Sequence, residues 1–437
     1  MQAKDLLEHC AALTAQLLRF EHPADQVVAR YFREQRSLGP RDRAIVSDTV
    51  YAILRRKREL EAQALAAEQT SSKTANGSST LARRLALLAF ADDAQTLQAV
   101  LSPAEAQWPS SCQQATSAPD IAHNLPDWLA DKLQAQLGSQ FNAAAAALLQ
   151  TAPLDLRVNT LAAKRNAVLK ALAQQGIAAS ATPHSPWGIR LQGKLHIGQL
   201  DAYRQGQIEV QDEGSQLLAL LLDAKRNEIV VDFCAGAGGK TLALGAAMRN
   251  TGRLYALDVS AHRLEQLKPR LARSGLGNVY LMAINDEADP RLQRLAGKAG
   301  RVLVDAPCSG LGTLRRKPDA KWRQSPKAIA AFSQTQAAIL RSAARLLKPG
   351  GRLVYATCSL LAEENEAIAQ AFSAEQKATF TPLNAAQLLH SLKVAHAAEL
   401  CAPLQATADA PAGQYLRLWP HLHGTDGFFA AVWQKKP

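Results

Sequence analysis

IVVDFCAGAGGKTLALGAAM (229–248) is the stretch on which the fold turns. A short β-branched run ends on an acid, a glycine-rich loop follows, and a row of good helix formers comes next, which reads as strand, tight turn, helix. Working outward, the same alternation repeats. GRLYALDVS, NVYLMAI, RVLVDAPCSG and GRLVYATCS read as strands, while AHRLEQLKPRLARSG and a long segment over 327–347 read as helices. Strands separated by helices of this length predict an α/β fold with a doubly wound, mainly parallel sheet. Such sheets take ligands at the carboxyl ends of their strands, where Cys234, Asp258, Asp305, Cys308 and Cys358 all fall.

The chain has 437 residues, 47% of them apolar, enough for two or three domains with a sizeable core. Fifty basic residues against 38 acidic ones give a net charge of +12, the electrostatic footprint of a phosphate-bearing partner, although ribosome-associated and membrane-surface proteins share it. The six cysteines, at 10, 112, 234, 308, 358 and 401, show no CxxC spacing, and the ten histidines form no HxxxH or HExxH. Zinc and disulfide frameworks are therefore not expected. The start, MQAKDLLEHC, has no signal pattern, and no apolar run reaches the roughly 20 residues of a membrane span, which points to a reducing cytoplasm and free thiols. For any one of these cysteines, packing in the core is the plain alternative to chemistry.

Residues 1–60 read as helical, with Ile45, Val46, Val50, Ile53 and Leu54 at helical spacing. The basic run RRKR (55–58) is either a solvated helix face or an RNA contact. EQTSSKTANGSST (68–80) and WPSSCQQATSAPD (108–120) read as loops or linkers around the short helix LARRLALLAF, and LPDWLADKLQAQLG (125–138) as a helix started by Pro126 and stopped by Gly138. From 153 the texture changes to a small α/β unit: strand LDLRVNTL, helix AKRNAVLKALAQQG, and short strands in IAASATP and WGIRLQG. The helix EGSQLLALLLDA (213–224) leads from it into the large sheet. The domains expected are thus 1–140 helical, 141–225 small α/β and 226–437 doubly wound.

CAGAGGKT (234–241) fails as a phosphate loop, because a Walker motif needs glycine where Cys234 stands, and fails as GxGxxG, because Thr241 stands where the last glycine belongs. A tight glycine turn remains, followed by Asp258 at the end of the next strand, where a carboxylate accepts hydrogen bonds from ribose hydroxyls. This suits a nucleoside without pyrophosphate, of which S-adenosylmethionine is the common one; a dehydrogenase is the alternative.

DAPCSG (305–310), GTLRRKPDAKW (312–322), YATCSLLAEENE (355–366), VQDEGSQL (210–217), CAGAGGKT and DGFFAAVW (426–433) together resemble the Nop/sun family of S-adenosylmethionine-dependent RNA cytosine-5 methyltransferases. The resemblance runs from RVNTL (157–161) to the C-terminus and points to the bacterial small-subunit ribosomal RNA methyltransferase B (RsmB-like) branch. ADQVVARYFREQRSLGPRDRAIVSDTVYAILRR (24–56) is similar to the start of the NusB-like RNA-binding domain that this branch carries, here shortened and interrupted by the polar stretches. Another departure is Ala237, where the family more often has proline.

The resemblance implies a Rossmann-like class I methyltransferase domain preceded by an RRM-like one. It implies RNA as partner, ribosomal rather than transfer RNA, and a monomer that needs neither metal nor membrane. Cytosine carbon 5 is a weak nucleophile until a thiolate adds at carbon 6, so the chemistry calls for a thiol, a donor near ring nitrogen 3, a base, and a flipped or single-stranded target. By resemblance Cys358 is the nucleophile, Cys308 assists release of the methylated product, and Asp305 faces the cofactor or the cytosine edge. Cys234, Ala235, Gly236, Ala237, Gly238, Gly239, Lys240, Asp258 and Asp286, with Asp305, would hold the cofactor. Lys240 and Arg315–Lys317 would otherwise meet phosphates or water. DNA cytosine methyltransferases place the nucleophile in the Pro-Cys motif, followed by glutamine, where this chain has Ser309. Amino-group methyltransferases need [DNS]PP[YFW], which DAPC does not match. A different class, a binding scaffold with a retired catalytic domain, fits less well beside an intact glycine loop and both cysteines.

Overall fold

A computed structural model describes residues 1–70, 80–90, 101, 121, 123–193, 195–402 and 413–437. The stretch 108–120 lies outside the described residues, as does most of 68–80. The described chain forms two compact units, Met1–Thr151 with Leu314–Ser325, and Ala152–Thr313 with Pro326–Pro437.

The first unit is helical. Helices Ala3–Leu17, Ala24–Glu34, Pro40–Arg55, Lys57–Thr70 and Leu81–Phe90 share one core, in which Leu7, Leu13, Val46, Ile53, Leu54 and Leu85 are buried. Pro40 sits at the first helical position, where its missing N–H costs nothing, and the Asp42 carboxylate accepts the Gly39 N–H at 3.2 Å. Pro126 and Gly138 bound the helix Asp127–Leu137 as the sequence predicts, the glycine at φ +53°. The segment 314–325 is built into this unit: Trp322 Nε1 donates to the Leu54 carbonyl (2.8 Å), and the Ala24 N–H donates to Asp319 (3.1 Å). Each charge of RRKR has an internal partner. Arg55 donates to the Arg315 carbonyl, Arg56 pairs with Glu59, Lys57 with Glu61, and Arg58 with Asp127. The run is therefore committed to holding this unit together, and Arg56 alone of the four is half exposed in its side chain (51%).

The second unit holds two sheets. The small one has strands β1 (Leu154–Val158), β2 (Ala179–Ala181), β3 (Gly188–Leu191) and β4 (Ile208–Val210), in the order β2-β3-β1-β4 and wholly antiparallel. Leu156, Val158, Ile189 and Ile208 close over Val168 and Leu172 of the helix Arg165–Gln174. Glu209 of β4 pairs with Arg270 (3.0 Å) and Arg273 of the helix Ala261–Ser274, which fastens this sheet to the large one.

The large sheet comprises β5 (Ile229–Asp232), β6 (Arg253–Asp258), β7 (Val279–Ala283), β8 (Ala299–Asp305), β9 (Leu347–Thr357), β10 (Phe380–Leu383), β11 (Leu416–Leu418) and β12 (Phe428–Lys435). Its order is β10-β12-β9-β8-β5-β6-β7, with β11 also on β12. The run from β9 to β7 is parallel, whereas β12 joins β9 antiparallel. Alternate side chains serve opposite faces. Val230, Leu303, Val354 and Ala356 enter one core, and Val231, Val302, Val304, Leu353 and Tyr355 the other. Because β5 pairs with both β6 and β8, the chain reverses its direction of sheet growth there, and a ligand crevice is expected beyond the carboxyl ends of β5 and β8.

Candidate active site

The register brings the strand-end residues together. Leu303 pairs with Asp232, and Asp305 pairs with Ala356, so the ends of β5, β8 and β9 lie side by side. Cys308 and Cys358 project from the last two, their Sγ atoms 3.3 Å apart, a thiol–thiol hydrogen-bonding distance. The thiol of Cys308 is pushed well above its ordinary value, first by that bond to Cys358 and then by burial, the Cys358 and Glu364 charges adding to it. Either sulfur can be the donor in this bond. Burial alone pushes Cys401 up to about 12, and pushes Cys10 up to about 11 against a bond to Thr49; both lie inside hydrophobic cores, as packing thiols do. Cys234 also is held well above its ordinary range by burial, with Asp232, Asp305 and Asp258 reinforcing it, so it belongs to the loop as an uncharged group.

Beside the thiols, Lys240 Nζ meets Asp305 at 2.7 Å and lies over the Phe428 ring. Burial pushes the ammonium down, but Asp305, with Cys358 and Asp232 behind it, more than offsets this and holds it above its ordinary value. Lys240 is therefore a bound counter-charge at the site rather than a solvated lysine. On the other side of the crevice, Asp258 at the end of β6 accepts the N–H groups of Gly236 (2.8 Å) and Ser260 (2.7 Å) and faces Arg263 at 3.1 Å. The glycine loop is thus tied to the strand-end carboxylate by its own backbone. Gly236 and Gly238 both take positive φ, and Gly238 passes so close to Leu267 that a side chain there would collide.

Residues 219–434 match the family described as 16S rRNA methyltransferase RsmB/F, and residues 125–198 match that family's ferredoxin-like domain. The probable ribosomal RNA small subunit methyltransferase B of Synechocystis sp. is 35% identical over 72% of this chain and 67% of its own. The chain belongs to the RsmB/F family of methyltransferases. The ribosomal RNA small subunit methyltransferase B of Sodalis glossinidius is 39% identical over 59% of this chain, which spans only 58% of that relative's length. A crystallised methyltransferase homologue from Pyrococcus horikoshii is 30% identical, with a TM-score of 0.62 over 73% of this chain and 100% of the other. As in the RsmB/F family, the cofactor is S-adenosylmethionine.

The residues present fit that cofactor. A Cβ placed on Gly236 would find only Arg263, at 3.9 Å, and one on Gly239 only Gln211, at 3.7 Å, so the outer side of the loop is open to a ligand. Asp258 borders that opening with a buried carboxylate. A further acid that the motif reading passed over, Asp232, is fully buried at the end of β5. It accepts Thr241 Oγ1 at 2.7 Å and leaves its other oxygen without a partner, and burial pushes it up to about 7. Asp286 is exposed on the loop after β7, its carboxylate turned onto the Ala288 N–H of its own loop. The buried acid of that loop is Asp289, which the Arg291 guanidinium holds well below the usual carboxylate range.

Around the thiols lies a second set of residues that the motif reading quoted without assigning. The Gly312 N–H donates to the Cys358 carbonyl and the Gly427 N–H to the Gly312 carbonyl, both at 2.8 Å. A Cβ on Gly312 would run into the carbonyl oxygen of Gly427, and one on Gly427 into the Leu360 side chain, which explains glycine in LGT and DGF. Glu364 is fully buried and accepts the Ser309 N–H (2.8 Å), both hydroxyls of Ser309 and Ser359, and Gln336 Nε2 (3.1 Å). The available signal was the serine that follows each cysteine.

Proposed function

We propose that the chain methylates carbon 5 of a cytosine in RNA, specifically in small-subunit ribosomal RNA, through a covalent cysteine–base intermediate. The observation that carries this reading is the pair of thiols 3.3 Å apart at neighbouring strand ends, beside the Asp305–Lys240 pair and next to the glycine loop. Two thiols at neighbouring strand ends fit attack and release better than redundancy does. The net charge of +12 and the small-subunit names of the similar proteins support ribosomal RNA as substrate.

In this reading Cys358 adds as thiolate to cytosine carbon 6, which makes carbon 5 an enamine carbon able to attack an electrophile. Bound against the glycine loop, S-adenosylmethionine supplies the sulfonium methyl group. Cys234 to Lys240, with Asp258 and Asp286, hold the cofactor, and Asp305 faces either it or the cytosine edge. A base then takes the carbon 5 proton, the Cys358–carbon 6 bond breaks, and Cys308 assists departure of the methylated base. The same reading takes residues 1–140 as a NusB-like RNA-binding domain, 141–225 as an RRM-like one and 226–437 as the methyltransferase domain. It makes the protein a monomer of the cytoplasm.

Bisulfite sequencing of total RNA from cells with and without the gene tests this directly. The expected result is one protected cytosine in small-subunit ribosomal RNA that loses protection without the gene. A gene-dependent site in transfer RNA would move the substrate, and no gene-dependent site would overturn the reaction.

A further inference from the structure

Glu364 occupies a position that the proposed chemistry does not use. Its side chain is fully buried, and no Lys, Arg or His pairs with it among the described residues. Around it converge four donors from three parts of the fold: the Ser309 N–H and hydroxyl after β8, the Ser359 hydroxyl after β9, and Gln336 Nε2 of the helix Pro326–Arg345. Gln336 also donates to the Pro307 carbonyl at 3.0 Å, so the residue before Cys308 is held as well as the one after it. Ser309 and Ser359 directly follow Cys308 and Cys358. Their hydroxyls lie 3.1 Å apart, in parallel with the 3.3 Å between the two sulfurs.

The neighbouring groups extend the same construction. The Tyr355 hydroxyl donates to the Glu364 carbonyl at 2.5 Å, and Asn365 Nδ2 donates to the Ser359 carbonyl at 3.0 Å. A buried carboxylate costs much free energy unless every lone pair is used, and a network that is fully used is rigid. The parallel β8–β9 ladder stops at Asp305 and Ala356. Beyond it the Ala306 N–H to Ala356 carbonyl (2.9 Å) and Gly312 N–H to Cys358 carbonyl (2.8 Å) bonds tie the backbones. The residues that flank the two sulfurs are tied by side chains.

We propose that Glu364 is a positioning residue that locks the Cys308 and Cys358 loops to each other and so sets the distance between the two thiols. This rests on the reading of Cys358 as nucleophile and Cys308 as the releasing thiol, but the spacing itself is measurable without it. Removing the carboxylate takes away the acceptor that both serine hydroxyls, the Ser309 N–H and Gln336 share. The Ser309–Ser359 and Gly312–Cys358 bonds are then the remaining ties, so that the loops can separate. Attack and release then no longer share one geometry, and kcat falls while KM for RNA and for S-adenosylmethionine stays nearly constant.

The test uses the full chain and the thiol oxidant diamide, which takes two electrons and two protons from Cys308 and Cys358 and closes a disulfide between them. The closure rate, followed by mass spectrometry of the linked peptides, reports how often the sulfurs meet. In Glu364→Ala we expect closure at least 10-fold slower than wild type and a comparable loss of kcat. Glu364→Gln, which keeps the shape and one acceptor oxygen, should recover part of both. If Glu364→Ala does not fold, Ser309→Ala and Ser359→Ala each remove one arm of the lock and should each slow closure at least threefold. A folded Glu364→Ala, or folded serine variants, closing within twofold of wild type would overturn the proposal. Slow closure in variants of a protein that methylates no cytosine would leave the lock standing and remove the functional reading instead. Cytosine methylation with unchanged closure would do the reverse.

Discussion

The two halves of the crevice reach the same end, chemical groups held at strand termini, by different means. On the β5–β6 side the glycine loop is held by backbone: Asp258 takes two N–H groups, and positive φ at Gly236 and Gly238 lets the loop bend tightly. On the β8–β9 side the loops are held by buried side chains, with Glu364 collecting Ser309, Ser359 and Gln336. A half that must accept a cofactor keeps an open outer face, whereas one that must keep two sulfurs in register is closed and cross-braced. Substitutions should therefore act on binding in the first half and on turnover in the second.

The largest effect is expected on the thiol side, at the backbone crossing. In Gly312→Ala the new Cβ meets the Gly427 and Cys358 carbonyl oxygens, neither of which can swing away as a side chain does. Stability should fall by about 1–3 kcal/mol, and methyl transfer should become undetectable while the residual folded protein still binds S-adenosylmethionine. Urea titration with a single-turnover assay measures both, and full activity would show that the crossing is not needed.

On the cofactor side, Asp258→Ala removes the ribose acceptor of the proposed site and releases the Gly236 N–H together. The loss of a charge-assisted bond, on the order of 1.5–3 kcal/mol, corresponds to about 10- to 150-fold in affinity for S-adenosylmethionine by calorimetry. An unchanged Kd would put the ribose elsewhere.

Asp232 gives the boundary between the halves a pH dependence. Burial pushes its carboxyl up to about 7 from an ordinary 3.8, so the folded chain keeps a proton that the unfolded chain releases across that interval. The stability this confers is present below about pH 4 and is lost as pH rises towards 7. Asp232→Asn keeps an acceptor for Thr241 and cannot ionise, so it should gain on wild type by about 1–3 kcal/mol between pH 5 and pH 8 in urea melts. A constant difference across that range would show the acid to be ionised throughout.

The smallest effect concerns the thiols as structural elements. Cys358 is only partly buried, and Cys358→Ala should change stability by less than about 1 kcal/mol. Reductant should leave the wild-type melting temperature unchanged. A large fall in either experiment would mean that the pair works as a disulfide.

How much of this was legible beforehand follows the same division. The parallel sheet was readable because its central strands are buried on both faces and so form short apolar runs, such as Val302–Leu303–Val304 before Asp305. The glycine loop was readable because its geometry demands glycine locally. The antiparallel ladder of β12 on β9 joins residues more than seventy positions apart, and no local pattern announces such a pairing. The run RRKR is ambiguous for a related reason: its partners Arg315, Glu59, Glu61 and Asp127 are fixed by tertiary contacts, and one of them arrives with the distant segment 314–325. Glu364 was not legible as a brace, because nothing in EENE (363–366) says which of its three glutamates the fold turns fully inward.

The division of labour between the thiols is tested most directly by trapping the protein–RNA adduct. The substrate RNA is incubated with S-adenosylmethionine and wild type, Cys308→Ala or Cys358→Ala, and each mixture is run on a denaturing gel. With Cys358 as nucleophile and Cys308 needed only for release, Cys308→Ala should attack, transfer the methyl group and remain linked as a slow-migrating band, while Cys358→Ala should give neither band nor methylation. An adduct formed by Cys358→Ala, with none from Cys308→Ala, would reverse the assignment and contradict the account.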